Sequence, residues 1–297
     1  MSRLALAFAC LVAFVLIPGV AGSAPARSQT SYTDRTGEAG RAPDIQTIAV
    51  ANDREGATAI DIRLANRTGP LPAGEYLLVY LDADGNSASG AGSGLDFLVE
   101  ALGAAPVAEL RIYRWDLARR EFTFDPSFAP AYGRDWGYSS SGSLYRFSFK
   151  RAVFNLAPTF RFVVAAESTG TGTNFDTDWA PDGAAPPGTE TFSYRLDTQP
   201  PVVRAVASSG KRGKTAKLSY RVTDDSGVTQ EKIRILRGSR VLATVSTTPG
   251  PATPGKSYFV NWKVPKSLKK GALRFCVTST DEAGFASKAS CATLKIT

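Results

Sequence analysis

In the stretch YLDADGNSASGAGSGLDFLVE, residues 80–100, the oxygen-bearing side chains Asp82, Asp84 and Asn86 stand at alternate positions, and Asp96 follows a run of Gly and Ser. Carboxylate and amide oxygens in one loop are the hard ligands that Ca²⁺ takes, and extracellular modules bind it weakly through such loops. A second acidic stretch, NFDTDWAPDG, offers Asp176, Asp178 and Asp182. A plainer reading stands beside both, because Asp, Asn and Gly are also the residues that make turns.

The first loop is not an EF-hand. The Gly expected after the third ligand is Ser87, the closing Glu would fall at Ser93, and strand-like runs stand where helices should. Gly213, Lys214 and Thr215 imitate the end of a phosphate loop, but its first Gly is Ser208 and a strand pattern follows instead of a helix. Ser267 and Lys270 have the spacing of a nucleophile pair without its partner motifs. The chain has no histidine, which removes Ser-His-Asp and Cys-His nucleophiles and imidazole metal ligands. Tyr113, Trp115, Trp136 and Tyr138 crowd one loop-rich stretch; exposed rings there would stack on sugars, and buried ones would pack beneath a long loop.

The elements that carry these residues are strands. In ATAIDIRLAN, Ile60, Ile62 and Leu64 alternate with Asp61 and Arg63, and LYRFSF repeats the period with Tyr145, Phe147 and Phe149. About nine such runs punctuated by Gly, Pro, Asn and Asp predict an antiparallel sandwich over residues 43–197. About seven shorter runs over residues 198–297 predict an immunoglobulin-like sandwich, with Trp262 in its core. Pro200 and Pro201 cannot continue a ladder and mark the boundary. The fold class expected is all-β, two antiparallel sandwiches in tandem.

Residues 1–22 read as a signal peptide: Arg3, an apolar stretch from Leu4 to Ile17, and small residues before Ser23. Residues 23–42 lack periodicity and read as a flexible leader. No second apolar run approaches the ~20 residues of a membrane span, so the mature chain is expected to be secreted or held at the cell envelope. It would keep Cys276 and Cys291, which usually pair in an exported protein. A turn centred between Ala283 and Gly284 sets them directly opposite one another, within disulfide reach. Charge divides at the domain boundary. Residues 43–197 hold 13 Lys and Arg against 20 Asp and Glu, a net of −7; residues 198–297 hold 18 against 5, a net of +13. Such a basic unit suits an anionic wall polymer or lipid headgroups, docking on its acidic neighbour, or simple solvation. Nucleic acid is not expected as a partner, since export removes it and no reading motif is present.

These residues carry a resemblance. The PDI start at 43–45, the ND turn at 52–53 before an alternating strand, and LDADGNSASG at a strand end resemble the first half of DOMON-like sandwiches, which are similar to carbohydrate-binding modules; FRFVVAA and DWAPD resemble the closing part. The resemblance implies a ligand-binding or structural sandwich, sometimes with calcium at the Asp-rich turn, for which Asp82, Asp84, Asn86 and Asp96 are the matching positions. DOMON domains that hold haem use Met and His ligands, and a chain without His whose single Met is the initiator excludes haem. The last hundred residues resemble a bacterial immunoglobulin-like or fibronectin-type-III-like module, with TDDSGV and TDEAG as strand-end turns. The function expected is non-enzymatic binding of polysaccharide or anionic wall polymer at the cell surface. The alternatives are a glycosidase using a pair among Asp82, Asp96, Asp176 and Asp178, or a structural spacer.

Overall fold

The computed structural model describes residues 28–104, 108–169, 175–182 and 190–297. The predicted signal peptide lies outside them. Strands dominate. The first unit contains β1 (Ser28–Thr33), β2 (Ile45–Asn52), β3 (Ala57–Leu64), β4 (Glu75–Asp82), β5 (Phe97–Leu102), β6 (Glu109–Asp116), β7 (Glu121–Phe124), β8 (Trp136–Ser141), β9 (Leu144–Lys150), β10 (Thr159–Thr169), β11 (Phe175–Ala180) and β12 (Phe192–Arg195). One sheet runs β1-β2-β3-β9-β8 and the other β11-β10-β4-β5-β6-β7, with β12 also on β10.

Period-two alternation decides which side chains meet between these sheets. Ile60, Ile62 and Leu64 of β3 enter the core with Phe147 and Phe149 of β9, while Asp61 faces Arg146 across the strands, Nε to Oδ1 at 2.5 Å. The second sheet is apolar on both faces. Leu77, Val79 and Leu81 of β4 join the core between the sheets, and Leu78 and Tyr80 join an outer cluster with Val163, Ala165, Ala91 and Leu95. EYLLVYL therefore shows no alternation, because both sides of the strand are covered.

The leader expectation needs correction. Residues 28–33 form β1, paired in antiparallel register with β2, and Ala39 and Ala42 behind it are buried. Backbone pairing onto an existing edge orders SQTSYT without an apolar face of its own, so hydrophobic periodicity gives no sign of it. Tyr32 then packs on Phe162 and Phe192.

The second unit contains β13 (Val202–Val206), β14 (Ser208–Gly210), β15 (Thr215–Thr223), β16 (Val228–Arg237), β17 (Arg240–Ser246), β18 (Gly250–Pro251), β19 (Tyr258–Lys263), β20 (Gly271–Asp281) and β21 (Ser290–Ile296). A β13-β15-β19 sheet packs on a β14-β21-β20-β16-β17 sheet, antiparallel except where β14 runs parallel to β21, and β18 extends β16. Trp262 is buried in the core they share. Cys276 lies directly opposite Cys291 and is disulfide-bonded to it. The two units have separate cores, and the chain is an all-β tandem of antiparallel sandwiches.

Candidate functional site

The Asp-rich loop leaves the end of β4 and folds back on itself. Asp82 is fully buried and stands opposite Arg161 of β10, whose Nε donates to Oδ2 at 2.6 Å and whose Nη2 contacts the same oxygen. Its Oδ1 accepts the Gly85 amide at 2.8 Å. Asp96 reaches back to accept the Ala83 amide at 2.9 Å, and Asp84 accepts the Asn86 amide at 2.7 Å together with the Ser89 hydroxyl. Oxygens of Asp82, Asp84 and Asp96 come within 4.8 Å of one another. Asn86 instead accepts the Ala88 amide. Burial raises the pKa of Asp82 and Asp96; Arg161 pulls the first back down, and the Ala83 amide the second. A guanidinium already supplies the counter-charge, so Ca²⁺ here would have to share Asp82 with Arg161.

The Gly-rich middle of the loop is a packing device. Gly94 holds a positive φ of 97°, and a Cβ there would meet the Asn86 carbonyl oxygen at 2.4 Å; Gly90, at 68°, would meet that of Leu95 at 2.5 Å. This tight path lays Ala91 and Leu95 over Leu78 and Tyr80. Beside it lies a groove of about 560 Å³, lined by Asp84, Asn86, Asp96, Arg114, Trp115 and Leu117 among others.

The other candidates separate. Asp176 pairs with Arg41 at 2.7 Å, Asp178 is buried and accepts the Ile45 amide at 2.6 Å, and Asp182 joins Asp34 and Glu38. Burial, with help from Asp178, Asp182 and Glu38, pushes Asp34 up to about 7. Asp34 and Glu38 were missed because they lie in the stretch read as a leader. Of the aromatics, Trp136 is no stacking platform: it is buried in the inter-sheet core and its indole donates to the Phe128 carbonyl at 2.8 Å. Tyr138 packs against the same core. Tyr113 pairs with Phe124 and Trp115 with Phe122 on the outer face of the other sheet, and Trp115 reaches the groove. Arg161 and Arg114 were also missed; a single Arg inside the otherwise apolar TFRFVVAA is the signal that could have found the first.

In the second unit Lys232, Arg234, Arg274 and Lys295 are exposed on the face that carries the disulfide. Among the described residues, no Lys or Arg from 204 to 295 forms an ion pair.

Fold and loop together define a tandem β-sandwich chain with a groove at one end of its first unit. No family's sequence model matches it, and no curated protein matches it. Its solved neighbours are distant. Fibronectin(III)-like modules of Clostridium thermocellum CbhA align at 10% identity over 82% of this chain and 87% of theirs, with a TM-score of 0.34. The FN1–FN3 domains of chicken CNTN1 align at 10% identity over 86% and 66%, TM-score 0.29. The sialic acid binding region of a Streptococcus sanguinis SK1 adhesin aligns at 11% over 93% and 78%, TM-score 0.24. At these scores the fold rests on the chain's own sheets.

Proposed function

We propose that the chain is an exported, non-enzymatic binding protein of the bacterial cell surface, whose DOMON-like first sandwich takes a polyhydroxylated ligand, a glycan or wall polysaccharide, in the groove beside Trp115. One observation carries this reading: a half-buried indole and the 76% exposed Leu117 share a groove with Asp84, Asn86, Asp96 and Arg114. A sugar presents an apolar ring face and a rim of hydroxyls, which an aromatic wall and planar hydrogen-bonding groups complement. The cations of the second unit, which form no ion pair among the described residues, support an anionic polymer as a further contact. Hydrolysis is supported less well. The oxygens of Asp82, Asp84 and Asp96 crowd within 4.8 Å and are held by their own loop amides, whereas glycosidase carboxylates flank a bound sugar at about 5–9.5 Å.

The test is a glycan array probed with the mature chain, repeated with Trp115→Ala and with Leu117→Asp, which changes only an exposed rim residue. A ligand whose affinity falls about tenfold or more in both variants supports the groove. A blank array, or full binding by both variants, sinks it. Binding to purified cell wall at low and high salt tests the basic unit; salt-insensitive binding contradicts the electrostatic contact.

A further inference from the structure

Asp197 is a buried carboxyl that forms no ion pair among the described residues. It is 3% exposed, and neither carboxylate oxygen accepts a hydrogen bond from an amide, a hydroxyl or a basic group. Three buried carboxylates show the usual alternative: Glu231 takes hydroxyls from Tyr220, Thr229, Thr247 and Ser279, Asp82 takes a guanidinium, and Asp178 an amide. An unpaired buried charge costs far more than a paired one.

Asp197 meets more carboxylates instead. One oxygen from each of Asp197, Asp224 and Asp225 lies within 4.8 Å of the others. Asp224 holds the Ser226 amide and hydroxyl on Oδ2 and leaves a buried Oδ1 without a partner. Asp281, 5% exposed, holds the Phe285 amide on Oδ1 and leaves Oδ2 likewise. The exposed Arg195 lies 3.9 Å from Asp225. Burial, then the charges of Asp281, Asp225 and Asp224, and a proton shared with the Asp225 carboxyl raise the pKa of Asp197.

The cluster also has a particular place. Asp197 closes the first sandwich, Asp224 and Asp225 form the turn between β15 and β16, and Asp281 ends β20. The Arg54 amide donates to the Ala283 carbonyl across the same junction at 3.0 Å. A cavity of about 550 Å³, lined by Asn52, Asp197 and Phe285 among others, gives Asp197 a path to solvent.

We propose that Asp197, Asp224 and Asp225, with Asp281 adding negative charge beside them, bind one divalent cation that joins the two sandwiches, and their all-oxygen chemistry selects Ca²⁺. The site draws ligands from both units, so it is complete only when they are docked. It is independent of the Trp115 groove, and its failure would leave the glycan reading untouched.

The mature chain, stripped with EDTA and dialysed, is titrated calorimetrically with CaCl₂ and melted with and without about 10 mM of the salt. The expected result is one ion per chain and a melting point raised by about 5 °C. Asp225→Asn, at an exposed position, and Asp197→Asn both abolish the rise, while Asp84→Asn in the β4 loop keeps it. No rise in the wild-type chain overturns the proposal. So does a rise that survives Asp225→Asn in full or disappears with Asp84→Asn. If Asp197→Asn fails to fold, Asp225→Asn decides.

Discussion

Asn52 clamps the backbone of Asp197 from both sides: its Nδ2 donates to the Asp197 carbonyl at 2.7 Å, and its Oδ1 accepts the Asp197 amide at 3.0 Å. The same Oδ1 accepts the Tyr194 hydroxyl at 2.8 Å. One side chain at the end of β2 thus fixes the residue from which the second unit departs. Asn52→Ala would leave the Asp197 amide and carbonyl without their partner, while the Tyr194 hydroxyl keeps the Ser28 carbonyl, and the chain is expected to lose about 3 kcal/mol of stability. Urea denaturation measures it. A loss under about 1 kcal/mol would mean that water replaces the amide and that the clamp contributes little.

Arg161 and Asp82 give a second prediction. The carboxylate is fully buried, so Arg161→Met strands a charge and is expected to cost about 3–5 kcal/mol. Asp82→Asn leaves a part-buried guanidinium that still donates to the Ser93 carbonyl, beside a neutral amide, and costs less. Combining the two should recover part of the loss, because the unpaired charge and not the missing bridge is the larger penalty. Equal and additive losses in a double-mutant cycle contradict this.

Much of the frame was legible because it depends on local pattern. Ile60, Ile62 and Leu64 announce a half-buried strand by themselves, and the pairing of Cys276 with Cys291 follows from where the turn is centred. Residues whose partners are distant in sequence were not legible. Asp82, Asp84 and Asp96 read as a cluster, but Arg161, 79 residues from Asp82, decides what the cluster holds. DTQPP reads as a linker because of its prolines, and nothing local reveals that Asp197 meets Asp224 and Asp225. Trp115 and Trp136 belong to the same aromatic run, yet one reaches a groove and the other enters the core, because they lie on strands of different sheets.

The disulfide joins neighbouring strands 15 residues apart in sequence, and closing so short a loop restricts the unfolded chain by about 3 kcal/mol. Replacing Cys276 and Cys291 by Ser is expected to lower the stability of the second unit by that order, with the first unit spared because its core is separate. Hydrogen exchange distinguishes the two: faster exchange confined to β16, β20 and β21 is the expected pattern. Equal acceleration in β3 and β9 would mean that the units unfold together.

Acidity should stabilise the ion-free protein. Burial pushes Asp34 up to about 7 and both Asp178 and Asp281 up to about 6, and it raises Asp197 as well. Each of these carboxyls binds its proton more tightly folded than unfolded, so the stabilisation is fully present below about pH 4 and is lost as pH rises through about 6 to 7. The chain has no histidine, so side-chain titration in this window belongs to carboxyls. In EDTA the melting point is therefore expected to fall from pH 5 to pH 8. Calcium displaces the protons that the junction acids hold at low pH and neutralises their charge at high pH, so its effect should grow with pH and flatten the profile. Asp225→Asn removes the calcium effect and leaves the part of the slope that comes from Asp34, Asp178 and Asp281, whose shifts do not depend on it. A melting point in EDTA that rises from pH 5 to pH 8 would contradict the raised carboxyls, and a calcium effect that is largest at pH 5 would contradict their role as ligands.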